Sequence, residues 1–161
     1  MTTFRVGIGY DVHRLGEGRP LFLGGVRVPH PQGLLGHSDG DVLLHAVMDA
    51  LLGAASLGDM GTHFPSTDPQ YKDISSLLLL QRVQAMVEGK GWKVGNVDAT
   101  IVAERPRLAP YLGAMRQALA GALGLPEERV SIMAKSTNGL GALGRGEGIA
   151  AYAVALLEGS Q

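Results

Sequence analysis

HSDGDVLLHAVMDALLGAASLGDMG, residues His37 to Gly61, is the stretch on which the reading of the whole chain turns. Val42, Leu43, Val47, Leu51, Leu52 and Ala55 recur every three to four residues, the period of a helix with one buried face. His37, Asp41, His45 and Asp49 stand four apart, so a helix through all of them sets them in one line. Ser38 or Asp39 is the expected N-cap, and the acidic residues behind it suit the positive end of the helix dipole. Two imidazoles and two carboxylates in line on a core-forming helix are either a wetted face or part of a site.

The beginning of the chain favours a site. Phe4 to Asp11 reads as a strand, with Val6, Ile8 and Tyr10 alternating against Arg5, Gly7 and Gly9. Glycine inside a strand marks close approach of a ligand or another backbone. Residues two apart on a strand project from one face, so Asp11 and His13 point together. With His45 from the facing helix they make a three-donor site for a borderline divalent metal, zinc above all, and three protein ligands leave a catalytic fourth position open.

Composition bounds the rest. A chain of 161 residues suits one domain over 1–161, and a formal charge of −1 gives no basic excess for nucleic acid or an anionic membrane. Cys is absent, so metal binding falls to His and carboxylate, and the chain fits the cytoplasm. The apolar run Leu77 to Leu80 is too short to span a bilayer, and Met1-Thr2-Thr3 leads into a strand rather than a signal peptide.

In order, the patterns predict a second strand or hairpin over Pro20 to Pro29 turning at Gly24-Gly25, then the organising helix. A loop from Gly58 to Pro69 follows, read as a ligand-facing flap. Helices are expected at Ile74 to Gly89 and Ala109 to Leu123, and strands at Trp92 to Glu104, Val130 to Ala134 and Ile149 to Leu157. This order gives an α/β chain with a single mixed β-sheet and helices on one face. The other face must meet water or another subunit, which predicts a homo-oligomer built by packing sheets together. The loop Ser136 to Gly148 offers hydroxyls, free amides and Arg145, the elements of a phosphate cradle or of a plain turn, and Arg145 can pair with Glu147. Lys135, Arg105 and Arg107 add charge near strand ends. Together these point to chemistry on a phosphorylated small molecule without separating hydrolysis, cyclisation and transfer.

GYDVHRL, GHSDGDVLLHAVMDALLGAASLGDMG, FPSTD, GNVDATIVAERPRL and GRGEGIAA, in this order, cover nearly the whole chain and resemble the 2-C-methyl-D-erythritol 2,4-cyclodiphosphate synthase family of the non-mevalonate isoprenoid pathway. The resemblance implies a homotrimer of ferredoxin-like (α+β) subunits, their sheets packed around the trimer axis and their active sites lying between subunits. It implies a reaction in which 4-diphosphocytidyl-2-C-methyl-D-erythritol 2-phosphate closes to the cyclic diphosphate and releases CMP. Asp11, His13 and His45 match the family's zinc ligands. Mg²⁺ or Mn²⁺ is expected on the substrate diphosphate. His37 and Ser136 match residues near the phosphates. Asp59, Met60 and Gly61, with the flap Phe64, Pro65, Ser66, Thr67 and Asp68, match the region that holds the erythritol, and Ser38 is a further substrate-binding candidate. Ala103, Glu104, Arg105, Pro106, Arg107, Leu108 and Ala109, together with Lys135, Thr137 and Asn138, match the neighbouring subunit's cytidine and diphosphate pocket. Asp49, one turn beyond His45, is the candidate for an outer-shell role fixing that imidazole.

Four positions depart from the family pattern. Asn138 stands where many members have a Glu that binds the second metal, Arg107 where Lys is common, and Ser66 where the flap usually has Asp. Ala142 replaces a Phe that in some members lines the trimer's central cavity, which weakens the case for an isoprenoid diphosphate near Arg145. The competing readings are a zinc-dependent phosphoesterase with an activated water, and a non-catalytic trimeric module binding nucleotides or isoprenoid diphosphates.

Overall fold

The first strand, β1 (Thr2–Gly16), is longer than the patterning of Phe4 to Asp11 suggests, because its alternation continues through Val12, His13 and Leu15. The computed structural model describes residues 1–160, with side chains through residue 159; Gln161, the last residue of the expected domain, lies outside the described residues. The hairpin β2 (Leu21–Leu23) and β3 (Val26–Val28) turns at Gly24 and Gly25, both at positive φ. A short β4 (Gly33–Leu34) precedes the organising helix α1 (Val42–Ala54). One turn, α2 (Met60–His63), interrupts the following loop, and α3 (Ser76–Gly89) leads to β5 (Trp92–Val102). Then come α4 (Leu112–Leu123), β6 (Val130–Lys135), the single turn α5 (Gly141–Gly144) and β7 (Gly148–Ser160).

Five strands form the main sheet in the order β4-β1-β7-β5-β6, antiparallel except for β5 with β6, whose connection carries α4. The sheet is therefore mixed, as expected, but it is not single. β2 and β3 form a separate two-stranded ribbon, which packs against α1 and β4 and is pinned at its turn by the start of α1. The pin is Asp41, fully buried, whose Oδ1 accepts the Gly24 amide at 2.9 Å and whose Oδ2 accepts the Gly25 amide at 2.7 Å.

All the larger helices lie on one face. α1 packs on β1 and β7, α3 against α1, and α4 on β6. The inner face of β1 reads Gly7, Gly9, Asp11, His13, Leu15. At its glycine end the other backbone anticipated from the sequence is α1 itself. A methyl group built on Gly7 would overlap the Ala50 carbonyl, and one on Gly9 the Ala46 carbonyl. The bare strand and the small residues Ala46, Ala50 and Ala54 seat the helix directly on the sheet, and this brings His45 down beside Asp11 and His13.

The helix-free face carries the apolar half of the alternation. Phe4, Val6, Ile8, Tyr10 and Val12 are exposed there, with Tyr152 and Val154 from β7 and Met133 from β6. Tyr10 and Tyr152 are register partners, their rings 5.0 Å apart. A row of large apolar side chains open to water on a β-sheet is the mark of a contact surface.

Candidate active site

α1 begins one step later than the four-residue spacing implies. Asp41 has extended backbone angles (φ −66°, ψ 92°), and its carboxylate accepts the Leu44 amide, so Asp41 rather than Ser38 or Asp39 is the N-cap. Gly40 just before it sits at φ 78°. His37 therefore lies off the helix, on a loop held by Arg19, whose guanidinium donates to the Gly36 and Ser38 carbonyls at 2.6 Å each. Burial, with the charge of Asp39 beside it, pushes the Asp41 carboxyl up, while the Gly25, Leu44 and Gly24 amides pull the other way.

Asp11, His13 and His45 converge as expected. Asp11 Oδ2 lies 2.7 Å from His13 Nε2 and 3.1 Å from His45 Nδ1, and the two ring nitrogens are 3.2 Å apart. His13 Nδ1 donates to the Leu35 carbonyl at 2.7 Å. A carbonyl only accepts, so in the neutral ring the bare nitrogen of His13 is Nε2, aimed at the acceptor-only carboxylate of Asp11. Two acceptors at 2.7 Å require a cation between or beside them, a proton or a metal ion, and the donor set fits a borderline divalent metal. Burial pushes the Asp11 carboxyl up, but hydrogen bonds and charge from His13 and His45 outweigh this and hold it below the usual carboxylate range. Burial likewise works against charge on His13, yet the Asp11 hydrogen bond and charge, with the Leu35 carbonyl, leave its imidazole raised.

The donors open on a cavity of about 160 Å³ lined by His13, His37, Ser38, His45, Met60, Phe64, Ser66, Tyr71 and Leu79. His37 Nε2 donates to the Asp68 carbonyl at 2.8 Å, tying the loop before α1 to the flap. Phe64 is buried edge-on against Tyr71, with ring centroids 5.4 Å apart. Asp59 and Asp68 are spent locally: Asp59 caps α2 through the Thr62 amide, and Asp68 caps the turn Pro69–Tyr71 through the Gln70 amide. Hydrogen bonds from Thr62 and from Gln70 hold these two carboxyls low. Gly61 is exposed at the rim, with Pro65 and Thr67 beyond it on the flap.

Asp49 does not hold the His45 ring. Its Oδ1 accepts the Met60 amide at 2.9 Å, one turn of helix having carried it past the metal donors to the start of α2. The far nitrogen of His45, Nε2, instead meets the hydroxyls of Ser38 and Ser76 at 3.0 Å each. Sequence reasoning missed Ser76, Asp39 and Arg19 in these roles. A serine just before the apolar run at Leu77 reads as a helix cap, and its burial was the signal that no pattern carries.

The remaining expected residues form a second cluster. Glu104 Oε1 accepts the Thr137 amide at 2.8 Å, the Thr137 hydroxyl at 3.0 Å and the Gly139 amide at 3.2 Å. These contacts, the Gly139 and Thr137 amides first, hold its carboxyl low. The Thr137 and Gly139 amides of the loop read as a phosphate cradle or a plain turn are taken up by a carboxylate of the same chain. The Ser136 hydroxyl accepts the Asn138 amide at 3.1 Å, with Asn138 at φ 56°. Arg145 Nε donates to Glu147 at 2.7 Å, the ion pair read from the sequence. Arg105, Arg107, Ala109, Lys135, Ser136 and Asn138 are exposed, Ala103 and Pro106 partly so, whereas Leu108 turns its side chain into the core. Glu104, Arg105 and Arg145 line a cavity of about 440 Å³ with His30 and Gln32; Ala142 lines another beside Val12 and His13. None of this second cluster lines the 160 Å³ cavity of the metal donors, although Ala142 and Glu147 share the other cavity with His13.

An α/β fold that brings an aspartate and two histidines together beside a cavity has the build of a metal-assisted enzyme. The chain belongs to the YgbB family, whose model matches residues 4–158. It is 62% identical over 154 residues to the 2-C-methyl-D-erythritol 2,4-cyclodiphosphate synthase of Syntrophomonas wolfei, covering 96% of this chain and 98% of that one. A solved 2C-methyl-D-erythritol-2,4-cyclodiphosphate synthase in its CDP-bound form superposes with a TM-score of 0.87 at 41% identity, over 95% of this chain and 99% of that one. The bifunctional IspDF of Campylobacter jejuni superposes with a TM-score of 0.96 at 40% identity; all of this chain matches, and it spans 44% of that longer one.

Proposed function

We propose that this protein is a metal-dependent cyclase that converts 4-diphosphocytidyl-2-C-methyl-D-erythritol 2-phosphate to 2-C-methyl-D-erythritol 2,4-cyclodiphosphate with release of CMP, in isoprenoid precursor biosynthesis. An oxygen of the 2-phosphate attacks the diphosphate phosphorus nearer the erythritol, and the bond from that phosphorus to the oxygen it shares with CMP breaks. The electron pair leaves with CMP, and no water is consumed. The observation that carries this reading is the convergence of Asp11, His13 and His45 beside a flap-lined cavity, in a chain so similar to named synthases.

Asp11, His13 and His45 would hold one zinc ion per subunit. Zinc there, with Mg²⁺ or Mn²⁺ brought in on the diphosphate, supplies Lewis-acid neutralisation of phosphoryl oxygens. The chain's own groups do the positioning, which is most of catalysis where anions must meet. His37, oriented by the Asp68 carbonyl, faces the phosphate from the flap side. Met60, Phe64 and Ser66 enclose the erythritol, and the Met60 end is anchored by Asp49. Ser136, Lys135 and the backbone of 103–109 and 137–138 receive the diphosphate and cytidine from a neighbouring subunit. CDP bound to a solved synthase of similar fold supports the cytidine pocket.

The exposed apolar face of the sheet supports a homotrimer with these faces inward, and the separation of the two clusters supports sites shared between subunits. The chain reads as one domain over 1–161. Among the described residues no helix is long and apolar enough to cross a membrane. We place the enzyme in the cytoplasm, which its lack of Cys fits.

Turnover in ¹⁸O-water tests the reaction class. The cyclase puts no solvent oxygen into any product. Solvent label in released phosphate or in an opened diphosphate identifies a phosphoesterase instead. Binding of CDP with no turnover identifies a binding module.

A further inference from the structure

His45 can serve as a donor through Nδ1 only if its other nitrogen carries the proton, and the surroundings of Nε2 determine whether it does. Both Ser38 Oγ and Ser76 Oγ lie 3.0 Å from Nε2. A serine hydroxyl can donate or accept, so contact with one leaves the tautomer open. Ser76 is different because its proton is already committed. Its hydroxyl lies 2.5 Å from Asp39 Oδ1, and its amide donates to Asp39 Oδ2 at 2.9 Å. Both Asp39 oxygens accept backbone amides, so the Ser76 hydrogen points at Asp39 and only lone pairs remain toward His45. A bare Nε2 would then face a bare oxygen at 3.0 Å in a fully buried place. Nε2 must carry the hydrogen, and the lone pair of His45 falls on Nδ1, toward Asp11 and His13.

We propose that Asp39, acting through the buried hydroxyl of Ser76, is a positioning residue that sets the tautomer of His45 and so completes the metal-binding donor set. This inference rests on the Asp11–His13–His45 site holding a divalent metal, and not on which reaction follows. The geometry is rigid at both ends. Asp39 Oδ1 also accepts the Asp41 amide at 3.1 Å, and the Asp39 amide donates to the Ile74 carbonyl at 3.1 Å. The segment just before α1 is thereby bound to the start of α3. The relay is a carboxylate–histidine–metal arrangement with one hydroxyl inserted. Ser38, whose hydroxyl takes either role, follows the tautomer without setting it.

The test is zinc affinity of the intact protein, measured by competition with a chromophoric chelator, alongside NMR of ¹⁵N-histidine-labelled, zinc-loaded protein. Wild type is expected to bind zinc and to show a hydrogen-bonded Nε2–H on His45. Ser76→Ala and Asp39→Asn are each expected to weaken zinc binding about 10–100-fold, the usual effect of losing an outer-shell partner, and to release that N–H to fast exchange. In Asp39→Asn the new amide group can donate to Ser76, letting the relay run backwards. Ser38→Ala is expected to stay close to wild type in zinc affinity. Should Ser76→Ala fail to fold, Asp39→Asn decides alone. Full zinc affinity with an unchanged Nε2–H signal in a folded variant overturns the proposal. A wild type that binds no zinc removes the metal site itself, and the proposal with it.

Discussion

The backbone of Gly9 in β1 lies so close to the Ala46 carbonyl of α1 that no Cβ fits between them. Ala46 follows His45 directly, and Gly9 is two residues before Asp11 on the same strand face. The contact that seats the helix on the sheet thus also sets the height of His45 over Asp11 and His13.

Gly9→Ala is expected to cost about 1–3 kcal/mol of stability, the range for forcing extra volume into a packed interior. The helix must lift, so zinc affinity should fall together with the denaturation midpoint. A variant as stable as wild type with unchanged zinc affinity would show that the close approach is not what positions His45.

The metal-free protein should lose stability as the pH rises through the histidine range. Asp11 stays ionised throughout, since its carboxyl is held low, and His13 is raised. A raised imidazole stabilises in full below its unfolded value near 6.5 and loses that contribution as the pH climbs through the folded value. Zinc replaces the proton, so its stabilising effect should grow over the same interval. Melting curves with and without zinc between about pH 6 and 8 check this, because that is where imidazoles change charge. A zinc-induced shift that does not change with pH contradicts it.

Glu104 ties the segment after β5 to the loop after β6, both assigned to the cytidine and diphosphate pocket. Its lowered carboxyl contributes at pH values above the ordinary glutamate range, and that contribution is lost as the pH falls through the folded value. Glu104→Ala is expected to speed hydrogen exchange of the Thr137 and Gly139 amides and to weaken CDP binding roughly tenfold, about the worth of one charge-assisted hydrogen bond. Zinc affinity should not move. Slow exchange retained at those amides would remove Glu104 as the clamp.

If the two half-sites meet between subunits, chains broken in different halves should complement. Asp11→Asn disables the metal half and Lys135→Ala the other. Each homo-oligomer alone should be nearly inactive. Co-expressed mixtures should recover a substantial fraction of wild-type turnover, because some interfaces then carry two intact halves. Absence of recovery in oligomers shown to be mixed argues for a site within one chain.

Much of the fold was legible because its signals are local. The 3.6-residue period of α1, the alternation along β1 and β5, and the Gly24-Gly25 turn each lie within a few residues. The donor triad was legible for the same reason: strand spacing pairs Asp11 with His13, and one helix supplies His45. Errors arose where a local rule was extended past the element that justifies it. Four-residue spacing joins His37 to Asp49 only if the helix runs through both, and it starts at Val42 because Asp41 caps it. Of the two hydroxyls at the His45 ring, Ser38 lies nearby in sequence, but Ser76 lies 31 positions along the chain, a distance that no periodicity reports. The glycines of β1 signalled close backbone approach, but only packing could show that α1 fills the space and the apolar residues face outward.

The most direct measurement is phosphorus NMR of the purified protein with 4-diphosphocytidyl-2-C-methyl-D-erythritol 2-phosphate, before and after chelation. The predicted result is conversion to CMP and a cyclic diphosphate, abolished by chelator and restored by zinc with magnesium. Free inorganic phosphate, an opened diphosphate, or an unchanged spectrum from zinc-loaded protein would contradict the cyclase reading.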